Sequence, residues 1–127
     1  MRSLELTPDA SLETKDALDQ LASLPGVSFA ALMVREGFLV DSAGHIARDA
    51  EAVTALASCL LESSEGIGRE LGQGTLRCSI CEFDEGLVLA MGAGAPSRLV
   101  VVLRDVAALD AARRSASHVL AALPCTL

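Results

Sequence analysis

The residues with the clearest chemical potential in this chain are Cys78 and Cys81, which are spaced as C-x-x-C. That spacing can carry thiol–disulfide exchange or bind zinc. The two cysteines lie in a segment with the pattern of a β-strand, where residues three apart point to opposite faces with Cα atoms roughly 10 Å apart. A disulfide needs Cα atoms within about 7 Å, and one zinc ion needs converging thiolates. We therefore predict neither a redox nor a metal role for this pair.

The two histidines and the glycine-rich segment 92–96 do not complete a catalytic site. His45 lies in a predicted loop near Asp41 and Asp49, but no serine or cysteine nucleophile elbow accompanies it. His118 lies in the last predicted helix and is expected at the surface. A phosphate cradle needs glycines that open directly onto a helix N-terminus, whereas a proline and a strand follow here. With no nucleophile, base and oxyanion site assembled, we predict a protein that is not an enzyme and binds no cofactor.

The composition is acidic, because 17 Asp and Glu against 10 Lys and Arg give a formal net charge of −7. The arginines are scattered, so nucleic-acid binding is not expected, and an acidic surface is repelled by anionic lipid. No apolar run approaches the roughly 20 residues needed to cross a bilayer, and the N-terminal sequence lacks the apolar core of a signal peptide. We predict a cytoplasmic protein without membrane insertion. Four cysteines are interpreted as small apolar residues rather than disulfide partners: Cys59, Cys78, Cys81 and Cys125.

The chain reads as a lead-in, residues 1–10, and one domain, residues 11–124, with elements in the order α-β-β-α-β-β-β-α. Helical spacing of leucines predicts a first helix that Pro25 and Gly26 end, and Asp49 and Asp105 are the expected N-caps of the later helices. Glycine turns separate the strands. The predicted helices are 11–24, 49–65 and 105–123, and the predicted strands are 27–35, 38–42, 75–83, 87–91 and 98–103.

The second predicted helix carries two apolar stripes where one would suffice to cover a sheet. Val53, Ala57, Leu60 and Leu61 form the stripe suited to the sheet. A second stripe is rotated away from it and consists of Ala52, Ala55, Leu56 and Cys59. Alanine is also simply a strong helix former. We favour the interpretation that the second stripe is buried against a partner or a second copy.

Taken in order, the motifs resemble the Roadblock/dynein light chain domain family, particularly its bacterial members of the MglB type. No single motif is specific, but their order and spacing together are, over about residues 12–122. They are L-x-x-L-P-G-V at 21–27, the strand with its E-G turn at 30–40, E-A-V-T-A-L at 51–56, E-L-G-Q-G-T-L at 70–76, D-E-G-L-V-L at 84–89 and R-L-V-V-V-L at 98–103.

The resemblance implies an α/β fold of the α+β type, a sandwich with a five-stranded antiparallel sheet in the order 2-1-5-4-3. One helix is expected on one face and two on the other. Family members form homodimers in which the third strands pair across a two-fold axis and the second helices lie side by side. They bind Ras-like small GTPases or motor subunits, and those that accelerate hydrolysis reorganise the GTPase without donating an arginine.

Our leading hypothesis is therefore a homodimeric regulator or scaffold of a bacterial Ras-like small GTPase, acting by GTPase activation or by control of nucleotide state or localisation. The alternatives are a small-ligand sensor domain and a structural scaffold of a kinase or motor complex. An isologous interface needs the same patch on both copies. The residues predicted to contact the second copy or the GTPase are Glu51, Thr54, Ala55, Ser58, Cys59, Glu62, Thr75, Arg77, Ser79 and Cys81.

Overall fold

Five antiparallel strands form one sheet in a computed structural model that describes residues 3–92 and 95–123, and only the backbone of residues 3–12. The strands are β1 (Val27–Val34), β2 (Leu39–Gly44), β3 (Cys78–Phe83), β4 (Gly86–Met91) and β5 (Ser97–Leu103). Their order is β2-β1-β5-β4-β3, which confirms the predicted topology. The central strands β1 and β5 are buried along almost their whole length because both faces of the sheet are covered.

Three helices cover the two faces, as predicted: α1 (Ser3–Ala22), α2 (Ala50–Leu71) and α3 (Leu109–Ala122). On one face, α1 and α3 pack on a core that includes Leu32, Leu89 and Leu99. On the other face, α2 packs alone on a smaller core. Residues alternate between these cores along each strand, so the sheet is the shared wall of both. No helix in the described part of the chain is both long and apolar enough to cross a membrane.

Several predicted boundaries need correction. The first helix begins at Ser3 rather than at residue 11, so the described part of the predicted lead-in is helical. Strand β3 begins at Cys78 rather than at residue 75. Asp105 does act as an N-cap, but of a short 3₁₀ turn, Val106–Ala108, that precedes α3. The predicted end of the last helix at residue 123 is close to the observed end at Ala122.

The second helix is longer than predicted. It does not end near residue 65 but continues through Gly66 and Gly68 to Leu71. A glycine inside a helix costs only about 1 kcal/mol relative to alanine, so tertiary packing can outweigh it. The helix ends at Gly72, whose backbone is left-handed with φ of 66°. The predicted N-cap is confirmed, since the Asp49 side chain accepts a hydrogen bond from the backbone of Glu51.

Two glycines are expected to respond in opposite directions to replacement by alanine. Gly44 has φ of +85°, and a Cβ there would lie 2.3 Å from the Ser28 carbonyl oxygen. We predict that Gly44→Ala lowers the free energy of unfolding by more than about 2 kcal/mol. A Cβ on Gly66 meets only the end of the Arg69 side chain, at 3.8 Å. Gly66→Ala should therefore stabilise the fold by about 0.5–1 kcal/mol. Urea unfolding at one fixed protein concentration measures both, and equal effects would contradict this account of the backbone.

Candidate interaction surface

The outward face of α2 carries the second apolar stripe, and all four of its members are exposed. Thr54, Ala57, Ser58 and Leu61 are instead buried against the sheet. An unpaired helix face in a monomer is normally polar. Here it is built from small and apolar side chains, which suits close contact with another chain.

A row of large exposed apolar side chains follows the flank of α2 that faces β3. The hydroxyls of Ser64 and Ser79 lie 2.8 Å apart and identify this flank. At 3.6 residues per turn, the apolar residues of the row fall within a quarter-turn of Ser64. The row consists of Leu56, Ile67 and Leu71, whose side chains are 70%, 61% and 66% exposed, respectively.

Strand β3 carries a further large exposed apolar side chain at the edge of the sheet. Phe83 lies on the same face of the strand as Ser79, about 13 Å further along. Its side chain is 60% exposed. Through its pairing with Gly86, Phe83 is level with the start of β1, whereas Ser58 in the N-terminal half of α2 lies against Arg35, just beyond the end of β1. Phe83 is therefore an exposed apolar side chain separate from the row on α2.

The backbone of β3 is free along its outer edge. Phe83 and Gly86 flank a two-residue hairpin turn, so they form a hydrogen-bonded pair. From there along β3, pairs that hydrogen-bond to β4 alternate with pairs that do not. The alternation points the N–H and C=O groups of Ile80 and Glu82 away from β4. In the described residues, no side chain hydrogen-bonds to these groups. The edge is therefore competent to pair with another strand.

The sequence analysis overlooked a buried arginine beneath this helix. Arg98, at the start of β5, is fully buried and reaches α2. Its Nη2 donates to Glu62 at 2.7 Å, and its Nη1 donates to the Ser58 hydroxyl at 2.8 Å and to the Arg35 carbonyl at 2.9 Å. The Ser58 hydroxyl in turn donates to the same Arg35 carbonyl. One side chain thereby joins β5, α2 and the end of β1.

The charge of Arg98 is balanced from the surface. Glu62 accepts its hydrogen bond while half of the glutamate side chain stays exposed, and Glu65 lies 3.9 Å from the same Nη2. Arg35 lies 3.5 Å from both carboxylates and completes a four-residue network. The hydrogen bond from Arg98 is the main cause that lowers the pKa of Glu62 below its ordinary value. The network fixes Glu62 on the outer rim of α2.

The predicted interface residues do not all lie on this surface. Thr54 and Ser58 are buried and point inward, so we leave them out of the interface proposed below. Thr75 and Arg77 are exposed in the loop before β3. Ser79 and Cys81 are half-buried on the face of β3 that α2 covers. The remaining four are exposed along α2: Glu51, Ala55, Cys59 and Glu62.

The groups first considered for chemistry stay apart in the structure. Cys78 packs with the core under α1 and α3, whereas Cys81 pairs with Val88 on the α2 side, which confirms their opposite directions. Cys59 is exposed rather than part of a core, and Cys125 lies outside the described residues. Among the described residues, no three His, Cys, Asp or Glu side chains cluster as a metal site. His45 and His118 are both exposed. Residues 93–94 of the glycine-rich loop are outside the described residues.

Removing the buried arginine should destabilise the fold. Arg98→Ala deletes a fully buried side chain together with its bonds to α2 and to the end of β1. We predict a loss of about 3 kcal/mol in the free energy of unfolding. The exposed Arg113→Ala is the matched control and should change it by less than about 0.5 kcal/mol. Equal unfolding midpoints for the two variants would show that Arg98 does not hold α2 to the sheet.

The lowered pKa of Glu62 predicts a specific dependence on pH. A carboxylate whose folded-state pKa is depressed stabilises the fold above its unfolded pKa and loses that contribution as pH falls through the folded pKa. Wild type should therefore exceed Glu62→Gln in stability near pH 7, and the difference should shrink as pH falls below the ordinary pKa range of a glutamate and vanish at the acid end. Urea unfolding across this range measures it, with Arg98→Met as the background in which Glu62→Gln should have little effect. A difference that persists at the acid end would be inconsistent with the network.

Comparison with known proteins agrees with this architecture. The family model of the Roadblock/LC7 domain matches residues 13–103. A Roadblock/LC7 domain from Streptomyces avermitilis is 23% identical, with a TM-score of 0.71 over 86% of this chain and 90% of that one. Myxococcus xanthus MglB is 18% identical, with a TM-score of 0.74 over 85% and 91%. The gliding protein MglB from Thermus thermophilus is 16% identical, with a TM-score of 0.75 over 88% of each chain.

A search of curated proteins finds no match. At these sequence identities, similarity to the solved structures shows only a shared fold. The family model matches most of the chain and therefore shows the family. Its matched segment runs from α1 to the end of β5 and so includes α2 and the whole sheet. The chain belongs to the Roadblock/LC7 domain family.

Proposed function

We propose that this protein is a homodimeric, non-enzymatic regulator of a bacterial Ras-like small GTPase, acting in the cytoplasm. The observation that carries the proposal is the unpaired β3 edge beside an apolar α2 face in a Roadblock/LC7 domain. Structural similarity to MglB from two bacteria supports the same kind of role. A surface of this kind acts by binding, so no catalytic residue is assigned to this chain.

The second copy is proposed to bind at the β3 edge. Antiparallel pairing of β3 with its symmetry mate would use the outward backbone groups of Ile80 and Glu82 and extend the sheet across a two-fold axis. The same symmetry brings the β3-facing flanks of the two α2 helices together. Leu56 and Ile67 then become buried between the copies, which removes their 70% and 61% exposure.

The GTPase is proposed to bind the outward face of the paired α2 helices. The small side chains of Ala55 and Cys59 make this face flat, and Glu51 and Glu62 place carboxylates along its border. A groove of about 580 Å³ between α2 and the end of β1 is lined by Arg35, Glu36 and Glu62, among others. The network with Arg98 holds Glu62 in place, so the charged rim is fixed before binding. Such preorganisation reduces the entropic cost of association.

An acidic substitution at Leu56 should separate the two copies. Burying one leucine side chain contributes about 1.5–3 kcal/mol, and the two-fold axis doubles the loss. We predict that Leu56→Glu weakens the dimer at least roughly 100-fold, as measured by sedimentation equilibrium. Val106→Glu is the control, because Val106 is 61% exposed but lies before α3 on the other face of the sheet. Equal dimer affinity in the two variants would place the second copy elsewhere.

The GTPase assignment is tested by affinity capture with the tagged protein, in GDP and in a non-hydrolysable GTP analogue. We predict a small GTPase enriched in one nucleotide state, identified by mass spectrometry and confirmed with the purified pair. Ala55→Arg should abolish its binding while leaving the dimer mass unchanged, because Ala55 lies away from the flank that faces β3. Ser117→Arg, on the exposed face of α3, should bind normally. Recovery of a kinase alone, or binding unaffected by Ala55→Arg, would contradict the proposal.

A further inference from the structure

The second edge of the sheet, at β2, presents outward backbone groups at Ser42 and at Gly44. The His45 N–H donates to the Ser28 carbonyl at 2.8 Å, so this pair is bonded inward, towards β1. In an antiparallel ladder, inward-bonded pairs alternate with outward-facing ones. Ala43 and Asp41 therefore bond to β1, whereas the N–H and C=O groups of Ser42 and Gly44 face away from the sheet.

Both outward groups of Ser42 are bound by side chains of the same chain. Its N–H donates to the Asp41 carboxylate at 2.8 Å. Its carbonyl accepts a hydrogen bond from the Lys15 ammonium group, which reaches across from α1. The ammonium also lies 4.0 Å from the Asp41 carboxylate, so the two side chains support each other. We call Lys15, Asp41 and Ser42 the edge clamp.

The neighbouring residues show what the edge clamp has to prevent. Val40 is the extra residue of a β-bulge, since Leu32 pairs with Asp41 and Met33 pairs with Leu39. Phe38 and Val40 are 72% and 46% exposed, respectively, beside this edge. An exposed edge with apolar neighbours is prone to pair with another strand, and charged side chains and bulges are the usual protection. At β3 the described residues supply no such protection to Ile80 and Glu82.

We infer that the edge clamp stops growth of the sheet at β2, so that copies add only through β3 and assembly ends at two. The clamp acts by occupying the outward hydrogen-bonding groups of Ser42, which a β2 strand from a further copy would otherwise bind. This inference goes beyond the regulation of a GTPase, and it would hold even if the protein binds no GTPase. It assigns to Lys15 and Asp41 a role in limiting assembly, because they prevent the β2 edge of a further copy from pairing with this one.

The test opens the clamp from either side and measures the mass of the full chain over a range of concentrations. Lys15→Ala and Asp41→Ala should each add species of twice the wild-type mass and higher multiples in sedimentation velocity, because a dimer paired through β3 has a β2 edge at each end. Lys15→Arg keeps a cationic donor for the carbonyl and should behave as wild type. Asp19→Ala removes the other carboxylate near Lys15, at 3.6 Å, without touching the clamp, and should also behave as wild type.

The same doubling should occur in the Leu56→Glu background, from monomer to dimer. The edge clamp is therefore tested separately from the β3 dimer, whose failure would show only as a wild-type monomer. Lys15→Ala and Asp41→Ala variants that remain folded and keep the wild-type mass at every concentration would overturn the inference.

A measurement on the wild-type chain guards against variants that fail to fold. The Ser42 amide should exchange its hydrogen at least roughly fivefold more slowly than an unstructured amide, because the Asp41 carboxylate binds it. Exchange at the unstructured rate would overturn the inference directly, since the clamp would then be absent in solution.

Discussion

Unpaired backbone groups at the two edges of an open sheet are the constraint on which the behaviour of this molecule depends. Every antiparallel sheet that does not close leaves such groups at its edges, and each edge must be covered, protected or used. Here the edges differ. At β2, side chains of Lys15 and Asp41 bind the outward backbone of Ser42. At β3, the edge carries exposed Phe83 and lies near the C-terminal half of α2, where Ile67 and Leu71 are exposed. We propose that the protein is thereby directed to associate through one side.

Helix α2, which lies next to the β3 edge, is held to the sheet by a buried arginine. Arg98 brings a cation from the central strand β5 to Ser58 and Glu62 of α2 and to the end of β1. A buried cation without a partner would be strongly unfavourable, so the position of α2 is tied to the position of its carboxylates. This makes α2 a rigid support for contacts on its outward face. Rigid elements position binding residues more accurately than loops do.

The order of helices and strands could be predicted from sequence because its signals are local, whereas the strand order of the sheet came from the family resemblance. Asp49 caps α2, and Pro25 and Gly26 follow α1, as their residue types indicate. The end of α2 could not be predicted reliably, because Gly66, Gly68 and Gly72 are alike in sequence and only Gly72 adopts the left-handed conformation. Which residues of a helix face outward depends on rotation about its axis, and the predicted set included Thr54 and Ser58, which the structure buries.

Arg98 was missed for a different reason. It opens an apolar segment, R-L-V-V-V-L, whose pattern indicates a buried strand but gives no hint of a buried charge. Its partners Glu62 and Arg35 are 36 and 63 residues away in the chain, so only the tertiary structure brings them together. The edge clamp is non-local in the same way, since Lys15 and Ser42 are 27 residues apart. Interactions of this kind carry no periodicity that a single sequence can display.

The central claim is that the β3 edge is the place where this protein meets its second copy. Amide hydrogen exchange of Ile80 and Glu82, resolved by residue and followed over a dilution series, tests it most directly. Our account predicts slow exchange at high protein concentration and fast exchange once the copies separate, because within the described residues nothing else hydrogen-bonds these amides. Fast exchange at every concentration, in a sample shown to be dimeric, would contradict it.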